Sequence, residues 1–356
     1  MAIVNLLSVS APGGLWGGLI NWLSKGISSY AVVLIVLTLL VKVVLLPLDC
    51  VNKYTSKINS RKQAEIAPEI EKINKRYANN KELLNKKTME AYKNHHYNIY
   101  GTCVTMLLYM VLTLVVFFTL FNALNKMSAH KIYNEYTTLR STYAIELGLE
   151  TTATDEELVA AGTYVEGTTT DEQKQKIDNA NKAVVAKYGE IKEGFLWIDN
   201  IWRPDTSAKP VLNYKSFLSN SKIKSNEVSE SAYNMVMNPV KTEYSGWNGY
   251  FVLALLTAAT TLGSFYVNNA VAKYRAKRKG KVYIKSAEGG KTMLFIMPII
   301  MGVFTLMYNA AFGLYILTGN LFTFVTGPLI TLLVEWLDER KMKKEQQKYT
   351  VSYSRK

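Results

Sequence analysis

The run from Ser29 to Asp49 reads SYAVVLIVLTLLVKVVLLPLD, and the one ionisable side chain inside its apolar part is Lys42. Tyr30 to Leu48 is 19 residues, a helix of about 28 Å, which is enough to cross the hydrocarbon of a bilayer. A lysine inside such a span costs about 2.5 to 3.5 kcal/mol on insertion scales, so it is expected to face protein or a hydrated cavity and to have a task there. The alternative is snorkelling, in which the stem draws the ammonium toward the nearer headgroups. Helical side chains tilt toward the N-terminus of their helix. With that end outside, as the charges below indicate, Lys42 leans into the core and away from the cytoplasmic surface. Pro47 withholds the N–H that the Val43 carbonyl would accept, leaving a free acceptor beside the charge in a helix predicted to end close by.

Working outward, the 356 residues are 49% apolar with a net charge of +14, and they sort into purely apolar and strongly charged blocks. That pattern defines an all-α polytopic membrane protein. Five spans are predicted: 30–48, 102–124, 247–267, and two from the run Thr292 to Leu337, which is too long for one crossing and divides at Asn309-Ala310-Ala311-Phe312-Gly313. Between the spans the net charge alternates: +5 over 49–101, −3 over 126–246, +7 over 268–291 and +3 over 335–356. By the positive-inside rule the first, third and fourth of these are cytoplasmic, while residues 1–28 and 126–246 are outside. The expected protein is therefore a multi-pass protein of the cell (plasma) membrane, its N-terminus outside and its C-terminus cytoplasmic.

Residues 1–28 lack the cationic start and small-residue cleavage site of a signal peptide, and are expected to stay as an N-terminal interfacial segment. Trp16 and Trp22 suit an outer-surface helix there. Residues 29–125 hold the first two spans, with a cationic helical hairpin over about 50–98. Ile66, Ile70, Ile73 and Tyr77 form a stripe on its first helix, Leu84, Thr88, Ala91 and Tyr92 face it from the second, and Ala78-Asn79-Asn80 makes the turn. Fifty residues exceed what topology needs, which favours a contact surface for lipid headgroups, ribosomal RNA or an incoming chain over a plain connector.

The order of these features resembles the Oxa1/YidC/Alb3 family of membrane protein insertases. TLLVKVVLLPLD (residues 38–49), then Ala67-Pro68-Glu69-Ile70 with Lys75-Arg76-Tyr77, carry the resemblance. It extends to Leu15-Trp16 and Tyr30, to Phe195-Leu196-Trp197-Ile198 and Pro204-Asp205 ahead of the third span, and to Met297-Pro298 and Gly313-Leu314-Tyr315 around the last hairpin. It implies five helices around a hydrophilic groove with Lys42 at its base, and Thr113, Thr260, Tyr308, Tyr315 and Thr318 as candidate lining. Pro68, Glu69 and Tyr77 would mark the working part of the hairpin. The implied partners are newly made membrane proteins and the lipid bilayer, with the ribosome, the signal recognition particle pathway and the Sec translocase as further candidates; no DNA partner is expected. This chain departs from the family pattern in places. Lys42 stands where arginine is typical, Thr113 aligns with a glutamine, Asn309-Ala310-Ala311 replaces a Pro-Ala pair, and Ile316 replaces a tryptophan.

The insert, residues 126–246, separates the second and third spans; residues 247–337 hold the last three, and 338–356 form a basic tail. Within the insert, Thr154-Asp155-Glu156-Glu157 and Thr170-Asp171-Glu172-Gln173 are capping-box patterns, and the second opens a helix with Ile177, Ala180, Val184 and Tyr188 on one face. Few large apolar residues in its acidic, threonine-rich middle predict a small, mobile outer domain without a second rigid core. Cys50 and Cys103 both fall at cytoplasmic span ends, so no disulfide framework is expected outside. His95-His96 reads as exposed surface and not as a metal site. No phosphate-cradling loop and no nucleophile-base arrangement is present, so no enzyme, cofactor or catalytic residue is expected. Two other functions are compatible with a polytopic chain: a solute or ion transporter, which would call for paired charges and internal repeats, and a membrane-anchored receptor or scaffold acting through the insert, which would not need Lys42.

Overall fold

The computed structural model describes residues 9, 11–95, 99–167, 169–278 and 291–353. Among the described residues there are eleven helices: α1 (Gly14–Ser24), α2 (Tyr30–Arg76), α3 (Lys81–Asn94), α4 (Ile99–Glu146), α5 (Asp155–Gly162), α6 (Asp171–Ile191), α7 (Tyr214–Ser221), α8 (Glu230–Glu243), α9 (Val252–Arg278), α10 (Lys291–Met307) and α11 (Ala310–Tyr353). The only extended pairing among them is an isolated antiparallel bridge between Phe195 and Ile198. Three helices are long and apolar enough to cross a membrane, within Tyr30–Arg76, Leu107–Glu146 and Ala310–Lys344, and Ile296–Met307 is a shorter apolar stretch. Val44, Leu108, Val325 and Leu329 stand exposed on those three long helices. A helix apolar around its whole circumference, and not covered by protein, is one whose solvent is lipid. The division of the last long run falls where expected, between Met307 and Ala310.

Two expected boundaries move. α2 does not end near Pro47 but runs on to Arg76 with Pro47 and Pro68 inside it. No glycine or proline interrupts residues 49–67, so one missing hydrogen bond at Pro47 does not stop a chain whose following turns all favour helix. The second span likewise continues into the insert as the single 48-residue helix α4. It stops only at Gly148, where the Leu149 N–H reaches back to the Ala144 carbonyl at 2.9 Å.

The chain divides into two compact units, each drawing on the long helices. The first comprises residues 1–37, 118–257 and 301–317. Its centre is aromatic: the Tyr136 ring lies 5.0 Å from that of Phe217 and 5.2 Å from that of Tyr233, and Phe217 stacks on Tyr233 at 4.6 Å. Thr154 closes a full capping box with Glu157, and Thr170 caps α6 through the Gln173 N–H. Ile177, Ala180, Val184 and Tyr188 are all buried, as their spacing predicts. The expectation of a mobile insert without a rigid core is thus corrected. The large core residues come from α4, α6, α7 and α8, and not from the acidic, threonine-rich stretch ahead of α6 on which that reading rested.

The phrase around Phe195 to Asp205 has a structural task in this unit. Asp205, buried, accepts the Tyr250 N–H at 2.8 Å and the Leu253 N–H at 2.6 Å, capping the start of α9. The carbonyls of Arg203 and Ile201 accept the N–H groups of Ala310 and Ala311, both at 2.8 Å, capping α11. Orphan donors at two apolar helix starts are thereby satisfied by one loop.

The second unit comprises residues 38–117, 258–300 and 318–356. It contains the hairpin, in which buried Ile66 and Ala91 pack with Ile70, Ile73 and Tyr92. Asn80 caps α3 by accepting the Leu83 N–H at 3.0 Å. The predicted turn, and the stripe as far as Ile66, Ile70, Ile73, Ala91 and Tyr92, are therefore realised, with the first hairpin helix fused to the first span.

Candidate functional site

The face of α2 within the second unit carries Lys42, Asp49, Lys53, Lys57 and Arg61, at i, i+7, i+11, i+15 and i+19, which keeps them to one side of a helix. Their environments differ. Arg61 pairs with Asp338 of α11 at 3.1 Å, and Lys57 lies 3.9 Å from Glu335, which also meets Arg275 of α9 at 3.4 Å. Lys53 donates to the Asn268 side chain at 3.4 Å and to the Gly327 carbonyl at 3.3 Å. Asp49 accepts from the Tyr109 hydroxyl at 2.6 Å. Lys42 is half-buried and, among the described residues, makes no hydrogen bond or ion pair.

What lies beside Lys42 is Gly319 of α11. A Cβ at that glycine would stand 3.1 Å from Lys42 Cε and 4.0 Å from Thr38 Cγ2, so the bare backbone makes room for the lysine stem. Further along, Asn320 donates to Thr261 at 2.8 Å and Asn268 donates to the Ser264 carbonyl at 2.8 Å. Gly327 has the same role for Asn268 that Gly319 has for Lys42, since an added Cβ would fall 2.7 Å from the amide oxygen. The result is a seam of amides, hydroxyls and lysines through apolar helices α2, α9 and α11, satisfied along most of its length and bare at Lys42. Polar groups inside membrane helices face the bundle or water.

The predicted lining residues separate. Lys42, Thr113, Thr260 and Thr318 belong to the second unit, and Tyr308 and Tyr315 to the first. Thr260 and Thr318, both half-buried, are direct sequence neighbours of Thr261 and Gly319 in the seam. The Thr113 hydroxyl bonds back to the carbonyls of Tyr109 and Met110, at 3.0 and 2.9 Å. Tyr308 packs on Phe121 at 4.8 Å and Phe304 at 5.8 Å, and Tyr315 lies 6.0 Å from Phe312. In the hairpin, Glu69 pairs with His95 at 2.9 Å, the Arg76 guanidinium sits 5.8 Å from the Tyr77 ring, and Pro68 is exposed inside α2. His95 is thus exposed but hydrogen-bonded to Glu69; His96 and the Cys103 side chain lie outside the described residues, and Cys50 is a free thiol. The sequence reading missed Lys53, Asn268, Asn320 and Thr261. Asn320 carried a signal, being an amide inside a span.

A second polar cluster lies in the first unit, around a cavity of about 140 Å³ lined by Lys131, Asn134, Glu135, Thr138, Ile191, Glu193 and Trp202. Lys131 pairs with Glu193 at 2.7 Å and lies 3.5 Å from the centre of the Tyr30 ring, while the Trp202 N–H donates to Glu193 at 2.9 Å. Glu135 accepts from Asn200 at 3.1 Å, and burial pushes its carboxyl up to about 8. Burial raises Glu193 as well, with Lys131 opposing.

Apolar helices bare to lipid, threaded by such a seam, define a multi-pass membrane protein. The model of the family described as 60Kd inner membrane protein matches residues 22–335. The chain belongs to that family, the YidC/Oxa1 family. Among curated proteins it is similar to a membrane protein insertase of Fusobacterium nucleatum, 36% identical over 99 residues, 28% of this chain and 46% of that one. One of Clostridium tetani is 36% identical over 95 residues (26% and 41%), and one of Anaeromyxobacter dehalogenans 31% over 134 (38% and 22%). The matches thus span less than half the length of these relatives. No solved structure matches.

Proposed function

We propose that the chain is a membrane protein insertase, the activity named for its relatives, and that the seam holding Lys42 is the hydrophilic groove through which a client's polar tail passes. The observation that carries this reading is the contrast on one face of α2: its other charged groups make hydrogen bonds or ion pairs, and Lys42, which feels only the through-space attraction of Asp49, makes neither among the described residues. Five crossings are proposed, by 30–48, 102–124, α9, α10 and α11. The hairpin, the 268–291 loop and the tail are placed in the cytoplasm; residues 1–28 and 126–246 are placed outside.

A polar tail must cross about 30 Å of hydrocarbon. A hydrated groove shortens that path, while the apolar segment partitions sideways into lipid, so no nucleotide is needed. A client carboxylate about 4 Å from Lys42 gains about 4 kcal/mol at an effective dielectric of 20, against about 1 in water. Lys42 is then an electrostatic handle, most useful to clients with short acidic outer tails. The hairpin surface is proposed to receive clients from the ribosome, the signal recognition particle pathway or the Sec translocase. The test is a pulse-chase of small membrane proteins in cells where this chain can be depleted. Insertion should stall on depletion and return when the chain is restored; unchanged insertion throughout would sink the proposal.

A further inference from the structure

The second unit holds a larger cavity at the far end of α9, of about 700 Å³, lined by Ala270, Val271, Tyr274, Arg275 and Arg278 of α9 and Leu332 of α11. The lining is graded along α9. Ala270 and Val271 come first, with Leu332 opposite; Tyr274 follows and is exposed, and the two arginines come last. On α11 the turn after Leu332 brings Trp336, half-exposed, with the Arg340 guanidinium 4.0 Å from its ring. Tyrosine and tryptophan at the ends of apolar helices mark the headgroup level of a bilayer. The Arg275 pair with Glu335 engages Nε. Among the described residues its two outer nitrogens make no hydrogen bond, and Arg278 makes none either.

We propose that this cavity binds one anionic phospholipid. Its phosphate is held by Arg275 and Arg278, and the start of its acyl chains lies against Ala270, Val271 and Leu332. The proposal rests on the reading of α9 and α11 as membrane helices. Basic pockets between such helices take phosphate head groups, guanidinium groups match phosphate oxygens in pairs, and the volume falls within the roughly 300 to 1,000 Å³ of small-molecule sites. A free phosphate would use the arginines but leave the apolar half of the cavity unfilled.

The test is native mass spectrometry of the full chain released from nanodiscs of mixed phosphatidylcholine and phosphatidylglycerol. The parent should retain one phosphatidylglycerol. Arg275→Gln with Arg278→Gln should lower retention by on the order of tenfold or more, the effect expected of two basic residues at an anionic surface. Lys273→Gln with Lys277→Gln removes the same charge from exposed positions outside the cavity and should leave retention unchanged. Leu332→Trp keeps both arginines but fills the apolar part, and should also lower retention. Equal loss in both charge variants would show only diffuse attraction and overturn the site. Displacement of the lipid by millimolar inorganic phosphate, or full retention in Leu332→Trp, would identify a free-phosphate site and overturn the lipid proposal. Insertion of a reporter is measured separately: lost retention with normal insertion leaves the insertase reading intact, and the reverse leaves the lipid site intact.

Discussion

Lys131 and Lys42 are two lysines in two units of one chain, and they are treated in opposite ways. Lys131 lies over the Tyr30 ring and against Glu193, whose other oxygen takes the Trp202 N–H. Lys42 lies along Gly319 and, among the described residues, its ammonium bonds to nothing. A cation surrounded by aimed partners builds structure, because removing it strands a carboxylate. A cation given space but no hydrogen bond or ion pair contributes less to folding, and on the proposed reading it remains available to something that arrives. The same chain thus separates architecture from proposed function by how completely each charge is answered.

The largest expected effect sharpens the structural half. The Glu135 carboxyl, pushed by burial from 4.5 to about 8, holds its proton more tightly folded than unfolded. Its contribution is therefore full below about pH 4.5 and lost as the pH rises to about 8, at most on the order of 4 to 5 kcal/mol. Glu135→Gln keeps a neutral acceptor for Asn200, and should raise the thermal midpoint of the full chain in micelles above pH 8 while leaving it unchanged near pH 4. An equal shift at both pH values would mean that protonation is not the cause. Next, Lys131→Met should cost about 3 kcal/mol by leaving Glu193 half-buried without its cation, the low end for a broken buried pair. A chain as stable as the parent would break the comparison from that side.

Gly319→Val should impair insertion several-fold by crowding the Lys42 stem, with a smaller loss in Gly319→Ala, whose new Cβ meets only the flexible lysine at 3.1 Å. Smallest of all, Lys42→Met should alter the thermal midpoint by an amount worth under about 0.5 kcal/mol, or raise it, since no partner is stranded. A large loss of stability there would make Lys42 another Lys131.

The three long apolar helices, the core of the hairpin and the last division were legible in the sequence because each rests on a local pattern. Ile66 against Ala91 and the buried face of α6 follow from 3.6-residue spacing alone. The end of α2 was misread because Pro47 looked like a stop, whereas the pairing of Lys57 and Arg61 with Glu335 and Asp338 joins residues nearly 280 positions apart. The packed insert was missed for a related reason, its core being assembled from helices separated in sequence, α4, α6, α7 and α8, on either side of a polar stretch. Of the seam, the charge at Lys42 was visible, but nothing local marked Lys53 or Asn268, which meet each other and the Gly327 carbonyl only when α2, α9 and α11 pack together.

The most direct test of the handle is insertion of a small single-span reporter whose outer tail carries no, one or two aspartates, in cells whose only insertase is the parent or a Lys42 variant. Lys42→Arg should match the parent. Lys42→Ala should lose insertion increasingly with each aspartate, and Lys42→Glu should lose most because it repels them. Equal insertion of all three tails by Lys42→Glu and the parent would contradict the handle and leave Lys42 as a lysine that only snorkels.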